Sequence, residues 1–433
     1  MIEFWILVTF CVVMALRAVL RLLASRFVDP TDVAQLSTIY YSVPLAIAGA
    51  LSWNYKGRIF LHVDAADPGL ALISLRYVCL ALASLEAGRY AGNAFFAAPK
   101  FTWSFQLTSQ SVARAQIWFL VLFAIMGVGI FLFGIREFLA GYAVESFGVT
   151  ANVGNALVYA SAELIGFAIM LTALFAKATG RWPLKASVLL SLLALGALLV
   201  IRAKRLEIVT SLMPTAIILF AARPSFGTFR KRLIGVGIAM TLLVFVSVLR
   251  VSDSIDGSDF VYYVLSEGLY ASHSLSGVLA RIETGSVGYE YGSRFLSALL
   301  GFIPSFIWSG KDAMVYAGNE VLKGVSPLGA TTFLTEAVLQ GGVLAVVIIY
   351  SIMGALFERL TKFEQVWEEG LKRRVLPLRF GAYLVAVVIF IPHFRDGIIP
   401  AVKLALQSLF FFVLLVGFKH VAGTRKSYQL LPQ

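Results

Sequence analysis

The sequence predicts an all-α, polytopic helical membrane protein of about eleven spans, with a large helical loop before the last three. Three observations predict it. The 433-residue chain is 59% hydrophobic and only 14% charged, whereas a soluble domain carries about a quarter charged residues. Apolar runs of bilayer length recur from end to end. Those runs are continuous rather than alternating, which argues against a β-barrel.

Taken in order, spans are predicted at 4–24, 35–53, 70–88, 115–134, 153–176, 185–201, 206–221, 233–250, 332–357, 378–394 and 398–418. The first is read as retained. Glu3 precedes it, no Lys or Arg does, and basic residues follow it, which is the reverse of a cleaved signal. The pair 185–201 and 206–221 is split by the polar knot Arg202-Ala-Lys204-Arg205-Leu-Glu207. The second member is short and holds Pro214, so both are expected to tilt or partly re-enter. Cys11 and Cys79 lie in apolar runs and supply no disulfide framework.

Most of the 36 lysines and arginines fall on one set of loops and flanks, including Arg17, Arg21, Arg26, Arg89, Lys177, Arg232 and the cluster from Arg359 to Arg379. This bias puts the N-terminus outside and the C-terminus in the cytoplasm. Residues 251–331 then form an extracytoplasmic loop within a single membrane domain, 1–433. The net charge of +12 is absorbed by cytoplasmic loops and by an anionic ligand on the other face; nucleic acid is rejected as a partner.

The loop has its own order. Ser258 or Asp259 is placed to cap a helix from Phe260 to Ile282. On it Tyr262, Ser266, Tyr270, His273, Gly277 and Arg281 share one face. A Gly-rich break at 284–292 leads to an apolar helix at 293–303, then to Trp308-Ser-Gly-Lys311, a short helix near 313–322 and a turn at 324–329. These helices read as too short to span, and are expected to lie on the outer surface or dip in and out of it.

Four groups of residues are candidates for chemistry. The first is the outer basic set, Arg202, Lys204, Arg205, Arg250, Arg281, Arg294, Lys311, Arg395 and Lys403. Such residues are expected to be scarce near outer span ends, and an arginine fork matches a phosphate. Any one of them alone is satisfied by snorkelling to lipid phosphate. The second is the Tyr270, His273 and Arg281 face, where rings suit a sugar surface and an imidazole suits a general base; an interfacial aromatic belt accounts for it equally well. The third is Glu336, read at the outer end of the 332–357 span, where a carboxylate is costly; pairing with an outer arginine is the structural alternative. Glu163 in the fifth span stands likewise, or simply neutralises Arg76. The fourth is the turn His393-Phe-Arg395-Asp396-Gly397, which uses Asp-Gly for backbone reasons but does not require His393 or Arg395. No Cys or His pair has zinc spacing, and no P-loop, dinucleotide fingerprint or Asp-rich metal motif occurs.

The stretch Phe302-Ile-Pro304-Ser-Phe-Ile-Trp308-Ser-Gly-Lys311, followed by Phe333-Leu-Thr-Glu336 and Gln340-Gly341-Gly342, resembles the O-antigen polymerase (Wzy-type) and oligosaccharide repeat-unit polymerase families. There an apolar helix runs into Ile-Pro-Arg, then Trp, then Lys, and a Phe-Leu-Gly-Glu segment opens the next span. The 202–207 knot and the large outer loop also match. Ser305 stands where the family usually has Arg, and Arg294 or Lys311 is read as its replacement.

The resemblance implies a metal-independent membrane glycosyltransferase in the bacterial inner membrane, with no cofactor. It joins repeat units carried on undecaprenyl pyrophosphate, in company with membrane lipids, a flippase and a chain-length regulator. Glu336 or His273 is then the base. Arg202, Arg205, Arg250, Arg281, Arg294, Lys311, His393, Arg395 and Tyr270 are the substrate-binding set. An O-antigen ligase and a transporter of lipid-linked oligosaccharide remain the alternatives; the transporter predicts charge deep among the spans.

Overall fold

In the computed structural model the described residues are 2–50, 68–95, 104–133, 153–180, 186–202, 205–221, 260–301 and 331–416, with scattered positions at 227–241 and 303–322. They belong to two compact units. One comprises Met1–Asn93, Pro224–Glu358 and Ile389–Gln407; the other comprises Ala94–Arg223, Arg359–Val388 and Ser408–Gln433.

The helices of the first unit begin with α1 (Ile2–Ala24), α2 (Pro30–Ser42), α3 (Pro44–Ala50) and α4 (Pro68–Phe95). α1 buries Phe4, Val8, Cys11, Met14 and Ala18, a stripe at helical spacing. Its other faces leave Ile2, Ile6, Val13, Leu16 and Leu20 exposed. Apolar outside with polar groups inside is the arrangement a bilayer selects. α2 starts where Asp29 accepts from Thr31 N at 2.8 Å, with Pro30 at the first helical position. It ends at Pro44, where α2 and α3 meet at 42°. The amide of Leu45, past the break, donates to Ser272 Oγ at 3.2 Å, so it is satisfied despite the kink.

Five described helices are long and apolar enough to cross a membrane, or six spans if the bent α2–α3 pair counts as one. The chain is thus an all-helical membrane protein in its main lines. One two-stranded ladder departs from the all-α expectation: β1 (Ser104–Gln106) pairs antiparallel with β2 (Val375–Pro377), Phe105 opposite Leu376. It lies in the second unit with α5 (Ser109–Phe133), α6 (Val153–Thr179), α7 (Ala186–Arg202) and α8 (Arg205–Phe220). There Ser211 Oγ donates to Ala162 O at 2.7 Å, and Lys177 Nζ caps α8 through the carbonyls of Ile218 and Ala221.

The loop helices also differ from expectation in setting. α9 (Phe260–Glu283), α10 (Ser293–Gly301) and α11 (Lys311–Val315) follow the predicted order. α9, however, is internal rather than superficial: Ala271–Ser276, Val278 and Leu279 are buried, and it packs on α2 and α3. Gly268, Ser272 and Ser276, four apart, present a small-residue edge that lets Gly268 meet the backbone of Tyr40.

The predicted span at 332–357 is divided. α12 (Phe333–Leu339) stops at Gln340, and the membrane-length helix α13 (Gly342–Thr361) starts afresh from Gly342 at φ +61°. Glu336 is therefore in a separate seven-residue helix, not within a span. The predicted 378–394 span is likewise irregular. Beyond a short helix α14 (Trp367–Arg373), it consists of α15 (Arg379–Val385), a wide π turn at Ala386–Phe390 and a 3-10 turn at Pro392–Arg395. The final helix is α16 (Ile398–Val416). The predicted 233–250 span lies largely outside the described residues.

Two pairings join α1 and α4. Arg76 pairs with Glu3, at 2.8 and 3.0 Å; the Glu163 side chain, read as a candidate partner of Arg76, lies outside the described residues. Cys11 and Cys79 are free thiols, yet their sulfurs lie 3.8 Å apart.

α4 and α13 cross at a seam of small residues. A Cβ at Gly88 would strike Ser351 O, one at Gly92 would meet Ala355, and one at Gly354 would strike Leu85 O. Such close crossings are how membrane helices gain packing energy where lipid supplies no hydrophobic drive. Gly354→Val is expected to cost about 1–3 kcal/mol or more by forcing the helices apart, read as a lowered thermal midpoint of the purified protein in detergent.

Candidate functional site

The site grows from the short helix α12. Thr332 Oγ1 accepts from Thr335 N at 3.2 Å and caps it. Ser274 on α9 meets the same turn, with its Oγ 2.9 Å from Thr335 Oγ1 and 3.3 Å from Thr332 N. The cap fixes Glu336, whose side chain turns away from its own helix. Its Oε2 accepts from Ile398 N at 2.6 Å, its Oε1 from Thr331 Oγ1 at 2.6 Å and from Arg294 Nη1 at 3.4 Å.

Gly397, at φ +96°, makes this approach possible: a Cβ there would collide with the Glu336 carboxylate. The Asp396-Gly397 turn read from sequence is thus also a seat for a carboxylate at the N-terminus of α16.

Arg294 joins two carboxylates. Its Nε and Nη2 fork onto Glu290 at 2.7 and 3.1 Å, and its Nη1 reaches Glu336. Gln340 completes the cluster, donating to Glu290 Oε2 at 3.2 Å and accepting from Gly292 N at 2.7 Å. Arg294 and Glu336 are buried, at 2% exposure each, whereas the Glu290 side chain is 22% exposed. Burial pushes the Glu336 carboxyl above its ordinary range, and Arg294, Thr331 and Ile398 N pull it back. Burial opposes the charge on Arg294, and Glu290 and Glu336 more than restore it.

Beside the cluster stand Tyr289 and Tyr291, ring centroids 6.1 Å apart. Tyr291 is 81% exposed and held at φ +44°, a conformation side chains rarely adopt.

The structure brings together Arg294, Glu336 and the turn that carries Arg395. Arg395 is half-buried and pairs with Asp396 at 3.5 Å. His393 is buried, its Nδ1 2.7 Å from Ile389 O. Lys311 is buried and caps α10 through Ile303 O at 2.6 Å and Gly301 O at 3.4 Å. Arg281 is half-buried in the last turn of α9, and its carbonyl receives Ser286 N at 2.9 Å.

His273 is buried beside Ser274, and burial pushes its imidazole down to about 4. Arg250 lies outside the described residues; Arg202, Arg205 and Tyr270 lie on described helices, but their side chains do not. Glu290 escaped the sequence reading, although its position four residues before Arg294 is the spacing of a helical ion pair. Among the described residues no three of His, Cys, Asp and Glu converge to hold a metal ion.

No protein-family model matches the chain, and no curated protein or solved structure matches it.

Two outcomes are expected. Glu336→Ala removes one of the two carboxylates on Arg294 and the acceptor of Ile398 N; it should cost about 3–5 kcal/mol, and Gly397→Ala more than about 1 kcal/mol, both read as thermal midpoints in detergent. His273 binds its proton less tightly folded than unfolded. Its contribution is full above ~6.5 and is lost as pH falls toward about 4, a change of about 3 kcal/mol. Unfolding measured across that window should show the loss, and His273→Gln should flatten it.

Proposed function

We propose that the chain is a membrane glycosyltransferase that joins oligosaccharide units carried on a polyprenyl diphosphate, at the outer face of a bacterial cytoplasmic membrane. The finer topology belongs to this reading: eleven spans, the N-terminus outside, the C-terminus inside and 251–331 extracytoplasmic. The observation that carries it is the Glu290–Arg294–Glu336 cluster. It falls within the stretch that resembles the repeat-unit polymerases, and its one part-exposed carboxylate sits beside a pair of exposed tyrosines.

In the proposed reaction the acceptor hydroxyl oxygen attacks the anomeric carbon of the donor glycan. The bond from that carbon to the diphosphate oxygen breaks, and the lipid diphosphate leaves with the electron pair. The hydroxyl proton passes to a carboxylate. Glu290 fits that task better than Glu336: both accept from several donors, but the Glu290 side chain reaches solvent while Glu336 is sealed at 2% exposure. Arginine forks suit the leaving diphosphate. Tyr289 and Tyr291 offer flat faces to sugar C–H surfaces.

The transporter reading keeps one observation in its favour. Charged side chains lie deep among the first unit's helices, where Asp32 is 1% and Glu86 7% exposed.

Purified protein given lipid-linked repeat units alone should yield a ladder of polymers. A ligase gives no ladder from that donor, and a transporter moves the units unchanged. Glu290→Gln is expected to slow polymerisation by about a hundredfold or more. Arg395→Ala should stop long chains while protein level holds; normal chains from both variants would remove these residues from the site. Arg294→Ala is a poorer probe, since it strands two carboxylates and lowers stability.

A further inference from the structure

A second polar cluster lies within the first unit, among α1, α2, α4 and α13. Glu86 on α4 accepts from Arg17 at 3.2 Å, from Arg21 at 3.4 Å and from Gln35 Nε2 at 2.8 Å. Asp32 Oδ1 accepts from Arg21 at 3.4 Å and lies 3.9 Å from Arg89. Arg89 also pairs with Asp29 at 2.7 Å and with Glu358 at 3.3 Å.

Asp32 is the most deeply buried of these carboxylates, and a carboxylate oxygen that deep is costly if it is charged and without a donor. Among the described residues nothing donates to Asp32 Oδ2 or to Gln35 Oε1, and both residues are at least 99% buried. They are three apart on one face of α2, so the two lone acceptors lie on the same side of the helix.

We propose that Asp32 is a proton-binding site, with Gln35 as the acceptor of the bound proton. One proton on Oδ2 neutralises this buried carboxylate and turns an acceptor without a donor into an O–H donor on the side where Gln35 Oε1 has no partner. No bond other than O–H is made or broken, and the proton comes from water.

The elements packed on α2 carry further groups that titrate or hold charge: His273 on α9, Glu336 on α12, His393 and Arg395 in the 392–395 turn, and Tyr350 on α13. The readout must therefore name the carboxyl itself. The site is independent of the glycosyltransferase reading, because none of its residues belongs to the Glu336 cluster.

Infrared difference spectra of the full chain in lipid, recorded as pH is raised, test it. The carbonyl stretch of a protonated carboxyl should be present at neutral pH, disappear at alkaline pH, and be missing in Asp32→Asn. Gln35→Leu leaves every carboxylate in place and should move the same band to higher frequency, because its hydrogen-bond acceptor is gone. That second variant stands even if Asp32→Asn does not fold. No band at neutral pH, a band that survives Asp32→Asn, or one indifferent to Gln35→Leu would overturn the proposal. A band whose titration shifts when sodium replaces choline would assign the site to a metal cation instead.

Discussion

The seat of Glu336 on the first turn of α16 is the constraint on which the surrounding structure depends. A carboxylate at 2% exposure is tolerable only when its oxygens are engaged. Here one oxygen takes the Ile398 amide and the other takes Thr331 and Arg294. Those donors come from three separate stretches of chain. The helix N-terminus adds field to hydrogen bonds, an effect of up to about 2 kcal/mol in partly buried geometry. Removing Arg294 would leave Glu336 buried without its cation, which is why a buried pair is far more costly to break than it was profitable to form. Gly397 is the local condition for all of this, since any side chain there would occupy the space of the carboxylate.

The two polar clusters of the first unit follow opposite rules. Around Glu336 the oxygens are met, and Gln340 ties the 290–292 turn to the end of α12 by both its amide nitrogen and its amide oxygen. Around Asp32 two buried acceptors, Asp32 Oδ2 and Gln35 Oε1, have no donor among the described residues. The first arrangement holds segments in place. The second leaves α2 with a charge that one proton can cancel, and α2 is also the helix that breaks at Pro44 against α9.

Much of this was legible in the sequence, for reasons that particular residues make plain. α9 begins and ends within a residue of its predicted bounds, because the 3.6-residue spacing runs unbroken from Phe260 and a Gly-rich stretch follows it. Its burial was not legible: a helix with Ser, His and Gly on its faces reads as wetted, whereas here those small residues allow close approach to α2 and α3. The break between α12 and α13 hides in an apolar run where Gln340, Gly341 and Gly342 are too few to lower hydropathy. Arg17, Arg21 and Arg89 were counted as loop and flank charges, since nothing in a charge tally marks Asp32 and Glu86 as their partners across α1, α2 and α4. Tertiary pairing decides such cases, and one sequence does not contain it.

On the proposed reading, the same physics sorts the two carboxylates around Arg294 into different tasks. A general base must give up its proton again after each turnover, so it needs a path to solvent. Glu336 has none, and turning it into a base would first require unseating α16. Glu290 is held by the Arg294 fork and by Gln340 and Ser293, yet it is open to solvent over about a fifth of its side chain. An incoming diphosphate would compete for the same fork. Each guanidinium bond drawn toward phosphate would leave Glu290 less well neutralised and therefore more basic. Substrate binding would then raise the basicity of the group that has to accept the acceptor's proton, while Glu336 keeps Arg294 anchored as it shifts its remaining donors.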